Sequence, residues 1–324
     1  MKRRQLLCAA PLLALPLHVR AQDNAVHNNK LHNIVDDAWA TGQGFAFSGR
    51  VVEKRRGPRR DSGVRSSLYR NSRLLFTGGE EGTVQWSVDG LRWQTRADDQ
   101  GYWALRSNQP LPTGTPTPGW HPIDSQPAPS STAHLLVHDA ANTIGLISDL
   151  DDTILVSEVN QTSRLLRNSL TVPPESRDAV AGMAALYTTW TKRNPRPEAT
   201  PVFYVSASPR QLTDSVRRFL RKQGFPPGVL QLKEVSGGSS DSLFDQQAYK
   251  VQRASAILQA FPQTRFALLG DDGERDPESY AELQARFGAQ VLGVWIRRVH
   301  PDPKRLRLPG QRDMAELLAN GPPA

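Results

Sequence analysis

The chain has 324 residues, a formal net charge of +8 and one cysteine. This length is sufficient for two domains, each with its own hydrophobic core. The modest excess of positive charge suits an anionic substrate or an anionic surface. A charge of this size does not by itself indicate nucleic-acid binding, so no nucleic-acid partner is expected.

Residues 1–21 are predicted to be a signal peptide. A basic start is followed by an apolar run over residues 6–17 and by Val19-Arg20-Ala21, which resembles a cleavage site. The run is shorter than the roughly 20 residues that span a bilayer, which argues against a membrane anchor. Cys8 lies in this segment, so the mature chain would lack disulfides, zinc–thiolate sites and a catalytic cysteine. We expect an exported protein, periplasmic or secreted, with the general and twin-arginine routes both open.

The following residues predict a linker and then a small β domain. Residues 22–41 are polar and rich in asparagine, which indicates a linker with a short helix near residues 34–40. Residues 42–140 carry β patterns and are expected to form a small antiparallel all-β sandwich. Asp89-Gly90 separates two alternating segments, 83–88 and 91–95, and is a strong hairpin signal.

Three further parts of this domain are interpreted separately. A strand is expected at residues 102–105 and another at 134–138, while the proline-rich residues 109–133 are expected to be irregular. Residues 54–60 form a dense basic run. This run is either a solvated hairpin loop or a site of peripheral contact with an anionic membrane surface.

Residues 141–310 are predicted to form the catalytic domain, followed by a tail at 311–324. Strands and helices alternate there, which implies a mostly parallel sheet. Three buried strands deliver polar side chains at their carboxyl ends, where open α/β sheets bind ligands. These side chains are Asp149 and Asp151, then Ser206 and Ser208, then Asp271 and Asp276.

Each of these residues also has a structural interpretation when it is considered alone. Ser206 and Asp276 could be helix caps, and Lys250 could be a solvated helix residue. Together they predict one crevice that holds several carboxylates, a hydroxyl group and a lysine. Clustered carboxylates repel one another and need a cation. Because the ligands are all oxygen atoms, Mg²⁺ is the first choice.

The same residues resemble the four motifs of the haloacid dehalogenase superfamily of phosphatases, over about residues 144–300. The motifs are D-L-D-D-T at 149–153, Ser206, Lys250, and G-D-x-x-x-x-D from Gly270 to Asp276. The resemblance implies an α/β Rossmann-like (haloacid dehalogenase-like) catalytic domain. No large cap domain is expected between residues 152 and 200, which leaves the site open.

A closer resemblance is to the catalytic domain of the actin-patch-protein family of Mg²⁺-dependent phosphatidate phosphatases. The stretches that match are I-S-D-L-D-D-T-I at 147–154, Y-V-S-A-S-P at 204–209, G-F-P-P-G at 224–228, L-L-G-D-D-G-E-R-D-P-E at 268–278 and W-I-R at 295–297. That family more often has serine in place of Asp272 and histidine in place of Arg275. These two departures could alter metal affinity and substrate contacts.

The resemblance also implies a role for each motif residue. Asp149 would be the nucleophile that forms an aspartyl-phosphate, and Asp151 the general acid and base. Mg²⁺ would be held by Asp149, Asp151 and Asp271. The phosphoryl oxygens would be bound by Ser206, Ala207 and Lys250, with Thr153 and Asp276 in support.

The function predicted from the sequence is therefore a Mg²⁺-dependent phosphatase that converts phosphatidate to diacylglycerol. One alternative is a phosphatase for soluble phosphomonoesters. Another is a non-catalytic protein that binds the envelope surface.

Overall fold

The computed structural model describes residues 31–53, 78–112, 114, 116–156, 177–234, 246–299 and 307–323. The predicted signal peptide (1–21) and the basic run (54–60) lie outside the described residues.

Eight strands form the N-terminal sheet. They are β1 Leu31–Val35, β2 Ala38–Thr41, β3 Gly44–Glu53, β4 Gly82–Val88, β5 Leu91–Ala97, β6 Tyr102–Ser107, β7 Gly119–Gln126 and β8 Ala133–Val137. The order is β1-β3-β2-β8-β7-β4-β5, and β6 pairs with β3 outside this path. Strands β2 and β8 are parallel, whereas the other pairs are antiparallel. Aromatic and aliphatic side chains, among them Phe47, Trp86 and Leu135, form its core.

Several predicted strands of this sheet are confirmed. Strands β4 and β5 flank Asp89 and Gly90, whose φ angles of 46° and 86° are those of a tight hairpin turn with positive φ at both central residues. Strands β6 and β8 fall at the predicted segments.

Two local predictions are wrong. The residues expected to form a helix near 34–40 belong to β1 and β2, because their apolar side chains are buried by pairing with β3. The segment 109–133 contains β7, although it is rich in proline. Pro122 is tolerated because β7 pairs with β8 at this position and with β4 only from Asp124 onward.

The C-terminal sheet has six strands. They are β9 Ile144–Ser148, β10 Val202–Pro209, β11 Val229–Lys233, β12 Arg265–Asp271, β13 Val291–Arg297 and β14 Gln311–Asp313. All are parallel, in the order β11-β10-β9-β12-β13-β14. Neighbouring residues Leu146 and Ile147 belong to different apolar clusters, because successive side chains of a strand point to opposite faces.

Five α-helices lie in the part of the chain that the structure describes. They are α1 Met183–Thr191, α2 Thr213–Lys222, α3 Gln246–Ala260, α4 Asp276–Phe287 and α5 Met314–Asn320. The predicted amphipathic face of α2 is confirmed, since Val216, Phe219 and Leu220 are buried. None of the described helices is both long enough and apolar enough to cross a membrane.

The predicted fold class, an α/β Rossmann-like (haloacid dehalogenase-like) domain with a small all-β sandwich, is wrong. Strands make up 40% of the part that the structure describes and outnumber its five α-helices, so this is not a helix-rich α/β fold. The N-terminal strands form one curled, mixed sheet that closes into a half-barrel, not two antiparallel layers. Alternation of apolar residues determines which face of a strand is buried, but it does not determine how many layers the strands form.

Candidate active site

The candidate site lies at the carboxyl ends of β9, β10 and β12. Asp149 directly follows β9, and its main-chain N–H donates to the carbonyl oxygen of Leu269 in β12 at 2.9 Å. Only 1% of Asp149 is exposed. The sheet therefore fixes the backbone of this aspartate and encloses its carboxylate.

Lys250 is the cation at the centre of the site. It lies near the start of α3 and is buried, and its Nζ is 2.9 Å from Asp149 Oδ1. The same ammonium group contacts Asp276 Oδ1 and lies 3.2 Å from Glu274 Oε2. One buried ammonium group thus joins carboxylates from β9 and from the turn after β12.

A hydroxyl group links the two strand ends. Thr153 Oγ1 is 3.4 Å from Asp149 Oδ2 and 3.4 Å from Asp271 Oδ2. Oxygen atoms of Asp149, Asp271 and Asp276 all lie within 4.8 Å of one another, and the three residues are buried. This arrangement could hold a metal ion.

Asp276 contacts the site instead of capping a helix. A helix cap is the structural interpretation of Asp276 when it is considered alone, whereas α4 begins at Asp276 itself and has no side-chain cap hydrogen bond. Its Oδ2 accepts from the main-chain N–H of Asp271 at 3.2 Å. Gly270 allows this approach, since a Cβ at that position would lie 2.6 Å from Asp276 Oδ2.

Asp151 faces β10. Its Oδ2 accepts from Ser206 Oγ at 3.2 Å and from Ser208 Oγ at 2.8 Å, and its Oδ1 lies 3.4 Å from Arg177 Nη1. Ala207 is buried between the two serines. The structure therefore separates the two aspartates of the first motif, placing Asp149 with Lys250 and Asp151 with Ser206.

Burial and mutual repulsion control the protonation of the carboxylates. Burial raises the pKa of Asp149 well above its usual value, and Lys250 opposes this effect. Burial and then the neighbouring Asp276 raise the pKa of Asp271 in the same way. Burial alone would lower the pKa of Lys250, but Asp149, Asp276 and Glu274 outweigh it and keep the amine charged. One ammonium does not balance these acids, so an added cation would favour their ionised forms.

The loop of the first motif is tied to β13. Arg297 donates from Nη1 to the carbonyl oxygen of Asp152, whose φ is 55°. The carbonyl oxygen of Arg297 in turn accepts from the N–H of Asp272 at 3.0 Å. Asp272 Oδ1 accepts from the N–H of Val299 at 2.7 Å. Asp152 and Asp272, which have no predicted role, thus belong to the contacts that hold the two acidic turns together.

Sequence reasoning missed three residues that contact the site. Glu274 lies inside the fourth motif, where an acid next to predicted ligands is a usable signal. Ser208 lies at a predicted strand end, but the family resemblance gives it no role. Arg177 had no sequence signal, because only the tertiary fold brings it to Asp151.

Comparisons with known proteins cover this part of the chain. Residues 144–298 match the family described as phosphatidate phosphatase APP1, catalytic domain. The phosphatidate phosphatase APP1 of Saccharomyces cerevisiae is 31% identical over 177 residues, which is 54% of this chain and 29% of the yeast protein. The uncharacterized protein C29B5.04c of Schizosaccharomyces pombe is 27% identical over 162 residues, which is 50% of this chain and 26% of that protein. The aligned segment therefore spans less than a third of either relative.

Solved structures show only distant similarity. A carbohydrate acetylesterase from Xanthomonas citri matches with 12% identity and a TM-score of 0.26, covering 85% of this chain and 71% of that one. A similarity this low supports no conclusion about fold or function.

Over the matched segment the chain is similar to a phosphatidate phosphatase. The family match and the yeast relative agree on this segment of the chain. The resemblance to the actin-patch-protein family that the sequence predicts is thereby confirmed for this segment.

Proposed function

We propose that the chain is a Mg²⁺-dependent phosphatase that hydrolyses a phosphomonoester through an aspartyl-phosphate on Asp149, with phosphatidate as the preferred substrate. The observation that carries the proposal is the position of the Asp149 carboxylate, which contacts Lys250 and Thr153 beside Asp271. A nucleophilic carboxylate, a cation for phosphoryl oxygens and a second acid for a metal are thus within one buried cluster.

The donor set fits a hard divalent cation. Asp149, Asp271 and Asp276 offer only oxygen atoms, and their combined charge exceeds what Lys250 balances. We expect the side chains of Asp149 and Asp271 and the main-chain carbonyl of Asp151 to hold Mg²⁺, because oxygen ligands suit this ion. When bound, the ion would neutralise charge on the phosphate and on the nucleophile.

The first half of the reaction takes place at Asp149. Its carboxylate oxygen forms a bond to phosphorus while the bond from phosphorus to the alcohol oxygen breaks, and Asp151 gives a proton to the departing alkoxide. In the second half a water oxygen forms a bond to phosphorus while the bond from phosphorus to the Asp149 oxygen breaks, Asp151 takes a proton from the water, and inorganic phosphate leaves the regenerated carboxylate. Ser206, Ala207 and Lys250 are the proposed contacts of the phosphoryl oxygens.

Two observations favour a lipid substrate over a soluble one. The yeast relative that matches residues of this domain is named a phosphatidate phosphatase. Asp152 and Thr200 are separated by 47 residues, which is short for a large cap domain, and the described part of that stretch includes the nine-residue α1. A site without a large cap would admit a head group that remains in a membrane, whereas enzymes for small substrates often close a lid.

The test is phosphate release by the purified chain, with and without EDTA, from phosphatidate, lysophosphatidate and glycerol phosphate in mixed micelles. We expect activity that Mg²⁺ restores and that favours phosphatidate over glycerol phosphate by roughly tenfold or more, because remote binding contacts accelerate the reaction. The control is Asp149→Asn, which should release no phosphate.

Other outcomes would reject specific parts of the proposal. Equal rates on phosphatidate and glycerol phosphate would replace the lipid assignment with the soluble-ester alternative. No release from any ester would favour a non-catalytic binding protein. Full activity in EDTA would reject the metal requirement.

A further inference from the structure

The end of β10, which carries Ser206 and Ser208, is only partly paired within its own sheet. Strand β10 pairs with β9 only as far as Tyr204. Its pairing with β11 runs to Ser206 and resumes at Pro209, with a register shift between them. Within the described strands, Ala207 and Ser208 therefore have no paired residue, and the N–H of Ser208 donates instead to Ser206 Oγ at 2.9 Å. Residues at such an irregularity lack the ladder hydrogen bonds that position their neighbours, so contacts from outside the sheet can determine where their side chains lie.

Arg210 connects the end of β10 to the N-terminal sheet. It follows Pro209 directly and is only 4% exposed. Its Nη2 is 3.0 Å from Asp36 Oδ2 and 2.9 Å from Glu234 Oε1, and its Nη1 donates to the carbonyl oxygen of Gly49 at 3.3 Å. Asp36 is itself fixed by a hydrogen bond from Ser48 Oγ at 2.5 Å. A buried ion pair thus links the end of β10 to β3 and to the connection between β1 and β2.

A second arginine makes an equivalent connection farther from the site. Arg217, in α2, is 7% exposed and lies 3.0 Å from Asp37 Oδ1. It also donates to the carbonyl oxygen of Val35 at 2.9 Å and to Ser131 Oγ at 2.8 Å. Two adjacent aspartates, Asp36 and Asp37, thus bind one arginine each. Only the arginine on Asp36 adjoins the serines that contact Asp151.

We infer that the N-terminal sheet positions the active site, because Asp36 holds Arg210 and so keeps Ser206 and Ser208 against Asp151. Arg210 is a positioning residue, since it acts through the serines and not on the substrate. The inference rests on the proposed phosphatase function. It extends the site to a sheet that lies outside the matched residues 144–298.

The experiment compares Arg210→Met with Arg217→Met in the full chain. Each variant removes one arginine from a buried aspartate at the same boundary between the sheets, so both should lower Tm by similar amounts. Only Arg210→Met should also lower kcat/KM of the folded protein on a phosphomonoester, by roughly tenfold or more, because small misplacement of catalytic groups is costly. It should also weaken binding of inorganic phosphate in the presence of Mg²⁺, measured by titration calorimetry.

Arg210→Lys supplies the rescue arm. Lysine can pair with Asp36 but lacks the planar fork that contacts Asp36, Glu234 and Gly49 together. We therefore expect kcat/KM and phosphate affinity to recover in part. Equal kcat/KM and equal phosphate affinity in the two methionine variants would overturn the inference. If the wild-type chain hydrolyses no phosphomonoester, the proposed function fails, and phosphate affinity alone decides the role of Arg210. If Arg210→Met does not fold, the lysine variant is compared with Arg217→Lys by the same two measurements.

Discussion

Replacing Gly270 by alanine should damage the site without removing any polar group. The new Cβ would lie 2.6 Å from Asp276 Oδ2 and 2.7 Å from both Asp276 Cβ and Tyr280 Cε2. Ordinary contacts between such atoms are about 3.5 Å or longer, so Asp276 and Tyr280 must move by about 1 Å. Asp276 contacts Lys250 and the N–H of Asp271, and we expect both contacts to be disturbed.

The size of the effect follows from this geometry. Overpacking of a buried position costs about 1–3 kcal/mol of the free energy of unfolding. Each kcal/mol lost lowers Tm by about 2–4 °C. The total decrease in Tm is therefore small, and the variant should still be folded at 25 °C. A displacement of this size near reacting groups should lower the rate of phosphate release by about 100-fold.

Gly228→Ala is the matched control. Its Cβ would lie 2.5 Å from the Tyr204 ring, a clash of similar severity, but Gly228 precedes β11 and lies at the opposite end of the sheet from Lys250. We expect both variants to lose thermal stability and only Gly270→Ala to lose phosphatase activity per folded molecule. We reason that Asp276 must lie close to Gly270 in order to position Lys250. Similar activity in the two variants would refute this reasoning.

Three further outcomes are expected. Asp149→Asn should abolish turnover. Asp151→Asn should lower turnover by several orders of magnitude while phosphate binding persists. A rate near wild type for Asp149→Asn would exclude the covalent route. Asp271→Ala should raise the Mg²⁺ concentration for half-maximal rate, as measured by Mg²⁺ titration, and restoration by Zn²⁺ alone would contradict the expected ligand set. N-terminal sequencing of the exported protein should begin near Gln22, and an intact Met1 in soluble cytoplasm would reject the proposed signal peptide.

Features that depend on neighbouring residues were predictable from the sequence. Asp89-Gly90 requires positive φ at both positions, and few residue pairs other than this type satisfy that requirement, so the hairpin could be placed. Asp149, Ser206 and Asp271 could be grouped because parallel strands bring their carboxyl ends to one edge of a sheet. The structure brings Asp149 and Asp271 to Lys250 and Thr153, whereas Ser206 lies with Asp151.

Features that depend on distant segments were not predictable. Arg177 and Arg210 have no local signal, since their partners Asp151 and Asp36 are supplied by the fold. The shape of the N-terminal sheet was also missed, because the pairing of β6 with β3 and of β2 with β8 joins segments far apart in sequence. Local patterns indicate strands, but the choice among possible partners is a property of the whole chain.

The backbone of Asp152 adopts a left-handed conformation, which distinguishes this residue from the other two aspartates of the first motif. Aspartate and asparagine adopt positive φ more readily than most other residues, since their short polar side chains can bond locally. At φ 55°, with its carbonyl oxygen bound by Arg297, Asp152 shapes the turn through its backbone. Asparagine at this position should therefore preserve the path of the chain. Of the three acids in this motif, Asp152 contributes a backbone conformation, whereas the carboxylates of Asp149 and Asp151 lie against Lys250 and Ser206.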